Sequence, residues 1–131
     1  MLILARSRLA AAGNEGAIMQ MTVTEIAGSA VELGLAGRLD TAGVDTVETR
    51  FNAAAIAADR HTLVNMAEVG FVSSMGVRML LTAAKALKLR HRRFMLVVPP
   101  GAVREMLETA AIDTLIPMFE TREEALLHLT R

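Results

Sequence analysis

Thr62-Leu63-Val64-Asn65-Met66, Ala67-Glu68-Val69-Gly70-Phe71-Val72 and Ser73-Ser74-Met75-Gly76-Val77-Arg78 follow one another without a break, and the hydrophobic period changes along them. Thr62 to Met66 is a short apolar run of the kind that suits a strand buried on both faces of a parallel sheet. Ala67 to Ser73 reads as a loop. Beyond it, Val77, Leu80, Leu81, Ala84 and Leu87 fall on one helical stripe, with Arg78, Thr82, Lys85 and Lys88 on the other side, which is an amphipathic helix. A buried strand feeding such a helix is the unit of an α/β fold, whose crossovers are right-handed. Serine is a preferred N-cap, but a cap needs only one, and here there are two. Gly76 is a weak helix former in the first turn, yet its missing Cβ lets another backbone approach. The carboxyl ends of strands in open α/β sheets are where ligands and partners usually meet the fold.

Working outward toward the N-terminus, Met21 to Ile26 has strand character, Ala27-Gly28-Ser29 a turn, and Ala30 to Leu35 a second strand. Val31, Leu33 and Leu35 share one of its faces, with Glu32 and Gly34 on the other; the pair is an antiparallel hairpin. Gly37-Arg38-Leu39-Asp40-Thr41 closes the strand and opens a helix, with Asp40 or Thr41 as N-cap and Val44, Val47, Phe51, Ala54 and Ala55 as its apolar stripe. Toward the C-terminus, Arg93 to Val98 is a strand stopped by Pro99-Pro100-Gly101. Val103, Met106, Leu107 and Ala110 form a helical stripe, and Ile112 with Leu115-Ile116 a short edge strand. Thr121-Arg122-Glu123-Glu124 is a capping box ahead of Ala125 to Leu129. The expected fold is α/β, a mixed sheet of about four to five strands with helices packed against it, in the order ββαβαβα(β)α.

Composition narrows the function. A chain of 131 residues is one domain, and 53% apolar content excludes disorder for most of it. Fourteen Lys+Arg balance fourteen Asp+Glu, which argues against a nucleic-acid binder relying on a basic field. The absence of cysteine excludes disulfides, thiolate catalysis and thiolate-bound metals. With 3% aromatic residues and neither Trp nor Tyr, a stacking platform for single strands is not expected. No apolar run reaches the ~18 residues of a spanning helix. Met1 to Ala12 resembles a signal peptide only superficially, since Arg6 and Arg8 interrupt its apolar stretch. Residues 1–18 therefore read as an extension upstream of the natural start, with a docking arm as the alternative, and the domain as residues 19–131.

His61, His91 and His128 lie far apart and lack metal-ligand spacing, and no phosphate-binding glycine loop occurs. No metal, cofactor or enzymatic activity is expected. Lys88-Leu89-Arg90-His91-Arg92-Arg93 reads as a solvated cap at a helix C-terminus, where the dipole favours cations, ahead of a patch for phosphate or an acidic partner. The nine methionines fall at core-like positions. Glu68 and Asp40 are the one conceivable carboxylate pair.

The run Phe71-Val72-Ser73-Ser74-Met75-Gly76-Val77 resembles the phospho-acceptor loop of STAS domains, specifically bacterial anti-sigma factor antagonists. Gly37-Arg38-Leu39-Asp40 is similar to the family's G-x-L-D turn. Val97-Val98-Pro99-Pro100-Gly101-Ala102-Val103 and Met106-Leu107-Glu108 are similar to its fourth strand and third helix, and Phe119-Glu120-Thr121-Arg122-Glu123-Glu124-Ala125 to its closing helix start. The likeness runs from about Met19 to Leu129, and its collinearity outweighs any one motif.

The resemblance implies a STAS-type fold and makes Ser74 the phospho-acceptor, with Ser73 the alternative. It puts Asp40, Thr41, Ser73, Ser74, Met75, Gly76 and Arg78 on the partner surface, Asp40 as the acidic position that meets the kinase. Two departures stand out: Ser73 where many members carry Asp, and Met75 where they carry a small residue. The implied circuit is cytoplasmic. The unphosphorylated domain binds an anti-sigma factor that is also a GHKL-type serine kinase, and sigma factor is released. Phosphorylation ends the binding and a PP2C-type phosphatase restores it. ATP and Mg²⁺ belong to the kinase; neither nucleic acid nor membrane insertion is implied, and a homodimer is left open. The competing readings are a STAS scaffold module in a signalling or lipid-transport complex, in which the serines are caps only, and a small-nucleotide-binding domain.

Overall fold

The computed structural model describes residues 19–26, 28 and 30–129. The extension assigned to residues 1–18 and two residues of the expected turn, Ala27 and Ser29, lie outside the described residues. Strand β1 (Met19–Ile26) pairs antiparallel with β2 (Ala30–Leu39), from Ile26 opposite Ala30 to Met19 opposite Gly37. Gly28 supplies the positive φ of 86° at the reversal. From β2 onward every pairing is parallel: β2 with β3 (His61–Val72), β3 with β4 (Phe94–Val97) and β4 with β5 (Met118–Phe119). The mixed five-stranded sheet has the order β1-β2-β3-β4-β5.

Three connecting helices, α1 (Thr41–Asn52), α2 (Ser74–Leu89) and α3 (Ala102–Thr109), cover one face of the sheet. Val31, Leu33 and Leu35 of β2, Val64 and Met66 of β3 and Leu96 of β4 meet Val44, Val47 and Phe51 of α1, Leu80 and Leu87 of α2, and Leu107 of α3 in the main core. Helix α4 (Arg122–Leu129) covers part of the opposite face, where Ala125 and Leu129 close over Ile26, Ala30, Leu63, Met95 and Val97. Thr62 to Val64 of β3 and all of β4 are thus buried on both sides, which is why they read as apolar runs. Glu32 also faces α4. It is 8% exposed and holds Arg122 Nε at 2.7 Å and Asn65 Nδ2 at 3.0 Å, so a charge-assisted network fastens the helix to the sheet.

Several expectations are corrected. Strand β3 does not end at Met66, and Ala67 to Ser73 is not a loop: the strand runs to Val72 because β2 also continues to Leu39 and pairs with it, Ala36 opposite Glu68 and Leu39 opposite Val72. Register shifts between Gly34 and Ala36 and between Gly37 and Arg38 break the two-residue alternation that marks a strand. The buried stripe of α2 is Gly76, Met79, Leu80, Ala83 and Leu87, with Val77, Leu81 and Ala84 at its margin. Strand β4 is shorter than Arg93 to Val98. Ile112 with Leu115-Ile116 is not a strand: Ile112–Thr114 is a 3₁₀ turn entered through Ala111 at φ 61°, and the edge strand is Met118–Phe119. Ile112 and Ile116 instead point into the core, and Ala110 is exposed.

The basic run after α2 is not merely solvated. Arg90 donates to the Ile56 carbonyl, Arg92 pairs with Asp59 at 3.2 Å, and Arg93 donates to the His128 carbonyl at 2.6 Å. Arg90 and Arg93 satisfy carbonyls near the ends of the π-helical turn Ala53–Ala57, which continues α1, and of α4, and all three arginines join segments remote in sequence.

Candidate functional site

Two helix N-termini stand side by side because β2 and β3 are parallel neighbours that each deliver into a helix. Leu39 ends β2 opposite Val72, which ends β3. Asp40 then caps α1, its Oδ1 accepting from Gly43 N at 2.9 Å, and Ser73 caps α2, its Oγ accepting from Gly76 N at 3.3 Å. Of the two candidates Asp40 and Thr41, Asp40 is the cap and Thr41 the first helical residue.

The Leu39 carbonyl joins the two turns. It accepts from Ser73 N and from Ser73 Oγ, each at 3.0 Å. A Cβ on Gly76 would lie 2.7 Å from the same oxygen, so glycine is what permits α2 to start so close to β2. Gly76 is buried, as close approach of a backbone requires.

The two serine hydroxyls are therefore inequivalent. Ser73 is half-buried and its oxygen is committed to Gly76 and Leu39. Ser74, the first residue of α2, is exposed and its side chain makes no hydrogen bond among the described residues. Met75 is 37% exposed, an exception to the core placement of the methionines, and Arg78 lies exposed one turn beyond Ser74. Asp40, Thr41, Ser73, Ser74, Met75 and Arg78 thus surround one end of the sheet, with Gly76 beneath them.

Electrostatically the patch is balanced. The backbone amide of Gly43 and, secondarily, Arg38 hold the Asp40 carboxyl below its ordinary range against some desolvation. Arg38 Nε lies 3.3 Å from Asp40 Oδ2 and its guanidinium sits 4.5 Å from the centre of the Phe71 ring. Glu68, opposite Ala36, does not share in the Asp40 contacts. Sequence reasoning missed Arg38 and Phe71, whose meeting depends on the Arg38–Phe71 pairing. It also missed an open groove of about 640 Å³ beside Ser74, whose walls include Val72, Val77, Met106 and Ala110. Among the described residues no three His, Asp or Glu side chains converge as metal ligands.

The family model for the STAS domain matches residues 21–125. The chain belongs to the STAS domain family. At the level of sequence, this STAS domain is 25% identical over 107 residues to the candidate anti-sigma factor antagonist BtrV of Bordetella bronchiseptica, covering 82% of this chain and 91% of that protein. Its fold is similar to the crystal structure of an anti-sigma factor antagonist from Mycobacterium paratuberculosis, with a TM-score of 0.78 at 19% identity over 86% of this chain and 95% of the other. It is also similar to SpoIIAA in its unphosphorylated form, with a TM-score of 0.67 at 22% identity over 82% and 93%. Phosphorylated SpoIIAA from Bacillus superimposes with a TM-score of 0.59 at 20% identity over 83% and 98%. The STAS architecture expected from the motifs is the one observed. Among the described residues no helix is long and apolar enough to cross a membrane.

Proposed function

We propose that this STAS domain is an anti-sigma factor antagonist whose unphosphorylated form binds an anti-sigma factor with serine-kinase activity and thereby releases sigma factor. Ser74 is the acceptor, and its phosphorylation ends the binding. The observation that carries this reading is the division of labour between the serines: Ser73 is spent on the cap, while the Ser74 hydroxyl is exposed and uncommitted. The names of BtrV and of the structural relatives support antagonism of an anti-sigma factor, and a phosphorylated SpoIIAA supports a modifiable domain of this fold. The kinase is of the GHKL type, supplying ATP and Mg²⁺ itself, and a PP2C-type phosphatase restores the binding form. The setting is the cytoplasm.

The physical argument for a switch is differential binding. A phosphate on Ser74 adds about −1.5 to −2 charges at pH 7. The amides of Ser74 and Met75 precede the first turn of bonding, Val77 N to Ser73 O at 3.0 Å, so the anion faces the positive end of the helix dipole and the fold tolerates it. Arg78, four residues on, lies on the same helical face. Asp40 keeps a carboxylate at the adjoining turn, partly offset by Arg38. A partner surface fitted to Met75, Arg78 and a neutral hydroxyl then has to desolvate a dianion, and each ~1.4 kcal/mol of that cost is tenfold in affinity.

Intact-mass analysis after incubation with a cognate kinase and ATP tests the assignment. Wild type and Ser73→Ala take one phosphate and Ser74→Ala none; Ser74→Ala stays bound in a pull-down and Ser74→Asp does not. Full modification of Ser74→Ala refutes Ser74 as acceptor. A folded wild type that binds the anti-sigma factor equally well with and without phosphate refutes the switch.

A further inference from the structure

The end of the sheet remote from Ser74 carries a second concavity. Where β4 begins, Phe94 pairing with Thr62 at the start of β3, an open cleft of about 500 Å³ lies between the C-terminal turn of α2, the segment before β5, and α4. That volume is within the range of small-molecule sites. Its apolar walls include Phe94, Met95, Pro117 and Phe119, with Leu115 at the rim, 64% exposed despite its size. Phe119 packs against the His128 ring, centroids 4.7 Å apart.

Every ionisable side chain lining the cleft is basic: Lys88, Arg92, Arg93 and His128, with no Asp or Glu among the described residues that line it. Of the three Lys and Arg charges, two are partly spent. Arg92 pairs with Asp59, and Arg93 donates to the His128 and Leu129 carbonyls. Lys88 is exposed and makes no ion pair among the described residues.

We propose that this cleft binds a small amphiphilic anion, an acyl or aryl carboxylate whose apolar body lies on Phe94, Met95, Leu115 and Phe119 and whose head group meets Lys88. The occupant follows from complementarity. An inorganic anion leaves the apolar walls wet, and a neutral hydrocarbon leaves the cationic rim without a counter-charge; one molecule with both parts satisfies both. The concavity favours a free molecule lying between the walls over a membrane surface, which calls for a protruding apolar face. This site is separate from the Ser74 surface and does not depend on the function proposed above.

The test uses the full chain and decanoate below its micelle-forming concentration, followed by calorimetry and by amide chemical shifts. Decanoate binds saturably at one site, with the largest shifts at Lys88, Leu115, Phe119 and His128. Acetate and 1-decanol each bind at least about tenfold more weakly, since each lacks one of the two contacts. Lys88→Glu and Leu115→Glu, both at exposed positions that leave folding intact, each weaken decanoate at least about tenfold. The proposal is overturned by absence of saturation, by shifts centred elsewhere, by unchanged affinity in both variants, or by binding to phosphatidylglycerol vesicles without binding to free decanoate.

Discussion

Replacing Gly76 by alanine sets helix propensity against tertiary packing, and the two predict opposite signs. Inside a helix, Gly→Ala is favourable by about 1 kcal/mol. In this fold the new Cβ would lie 2.7 Å from the Leu39 carbonyl oxygen and 2.8 Å from Leu39 Cγ. Neither atom has somewhere to go. The oxygen is held by two donors of Ser73 at 3.0 Å, and the Leu39 side chain is fully buried in the main core. Overpacking of this kind costs about 1–3 kcal/mol, and loosening the two bonds to the carbonyl adds about 1 kcal/mol in all. The net is a loss of about 2 kcal/mol. With an m-value of about 2 kcal/mol/M, that lowers the urea midpoint by about 1 M. Gly70→Ala is the control: Gly70 is exposed in β3 and an added Cβ meets no atom within 4 Å, so its stability stays within about 0.5 kcal/mol of wild type. A Gly76→Ala midpoint at or above that of wild type would refute the argument that Leu39 and Ser73 lock α2 against β2.

The cap itself is tested by Ser73→Ala, which removes the acceptor for Gly76 N and one donor to Leu39 and lowers stability by about 1 kcal/mol. Ser74→Ala, lacking such bonds, stays within about 0.5 kcal/mol; equal losses in chemical denaturation would contradict the division between the two hydroxyls. Arg122→Ala strips the partner from the buried Glu32 carboxylate, leaving Asn65 as its side-chain donor, and costs about 2 kcal/mol; a loss under about 0.5 kcal/mol would mean that α4 is held by Ala125 and Leu129 alone. His61 is pushed below the usual imidazole range by burial first and then by Arg92 and Arg93, and its neutral Nδ1 accepts from Arg93 N at 2.9 Å. The folded protein therefore binds fewer protons here than the unfolded chain. This contribution is complete above the unfolded value of about 6.5 and is lost as pH falls through the lower folded value. Wild type should lose stability more steeply than His61→Gln between pH 7 and pH 5, and parallel curves would remove His61 from the account.

Much of this protein was legible in the residues alone because the information is local. The hydrophobic periods of Val44 to Ala55, Thr62 to Met66 and Leu80 to Leu87 declare their elements, and Asp40, Ser73 and Thr121 are caps by short-range chemistry. The collinear motifs placed the STAS architecture and drew attention to Ser73-Ser74 and Gly76. What tertiary structure decided is what depends on partners far along the chain. Strand β3 reaches Val72 only because a bulged β2 lies beside it, and Met118–Phe119 is the edge strand because Ile112 and Ile116 are drawn into the core. The basic run from Lys88 to Arg93 becomes a set of ties only when Asp59, Ile56 and His128 are brought to it. The same holds at the site. A pair of adjacent serines is symmetric in sequence, and the Leu39 carbonyl, 34 residues upstream of Ser73, breaks that symmetry by claiming one hydroxyl and leaving the other in solvent. Pairing between distant strands sets such contacts, and no local pattern encodes which residue of a neighbouring strand will lie opposite.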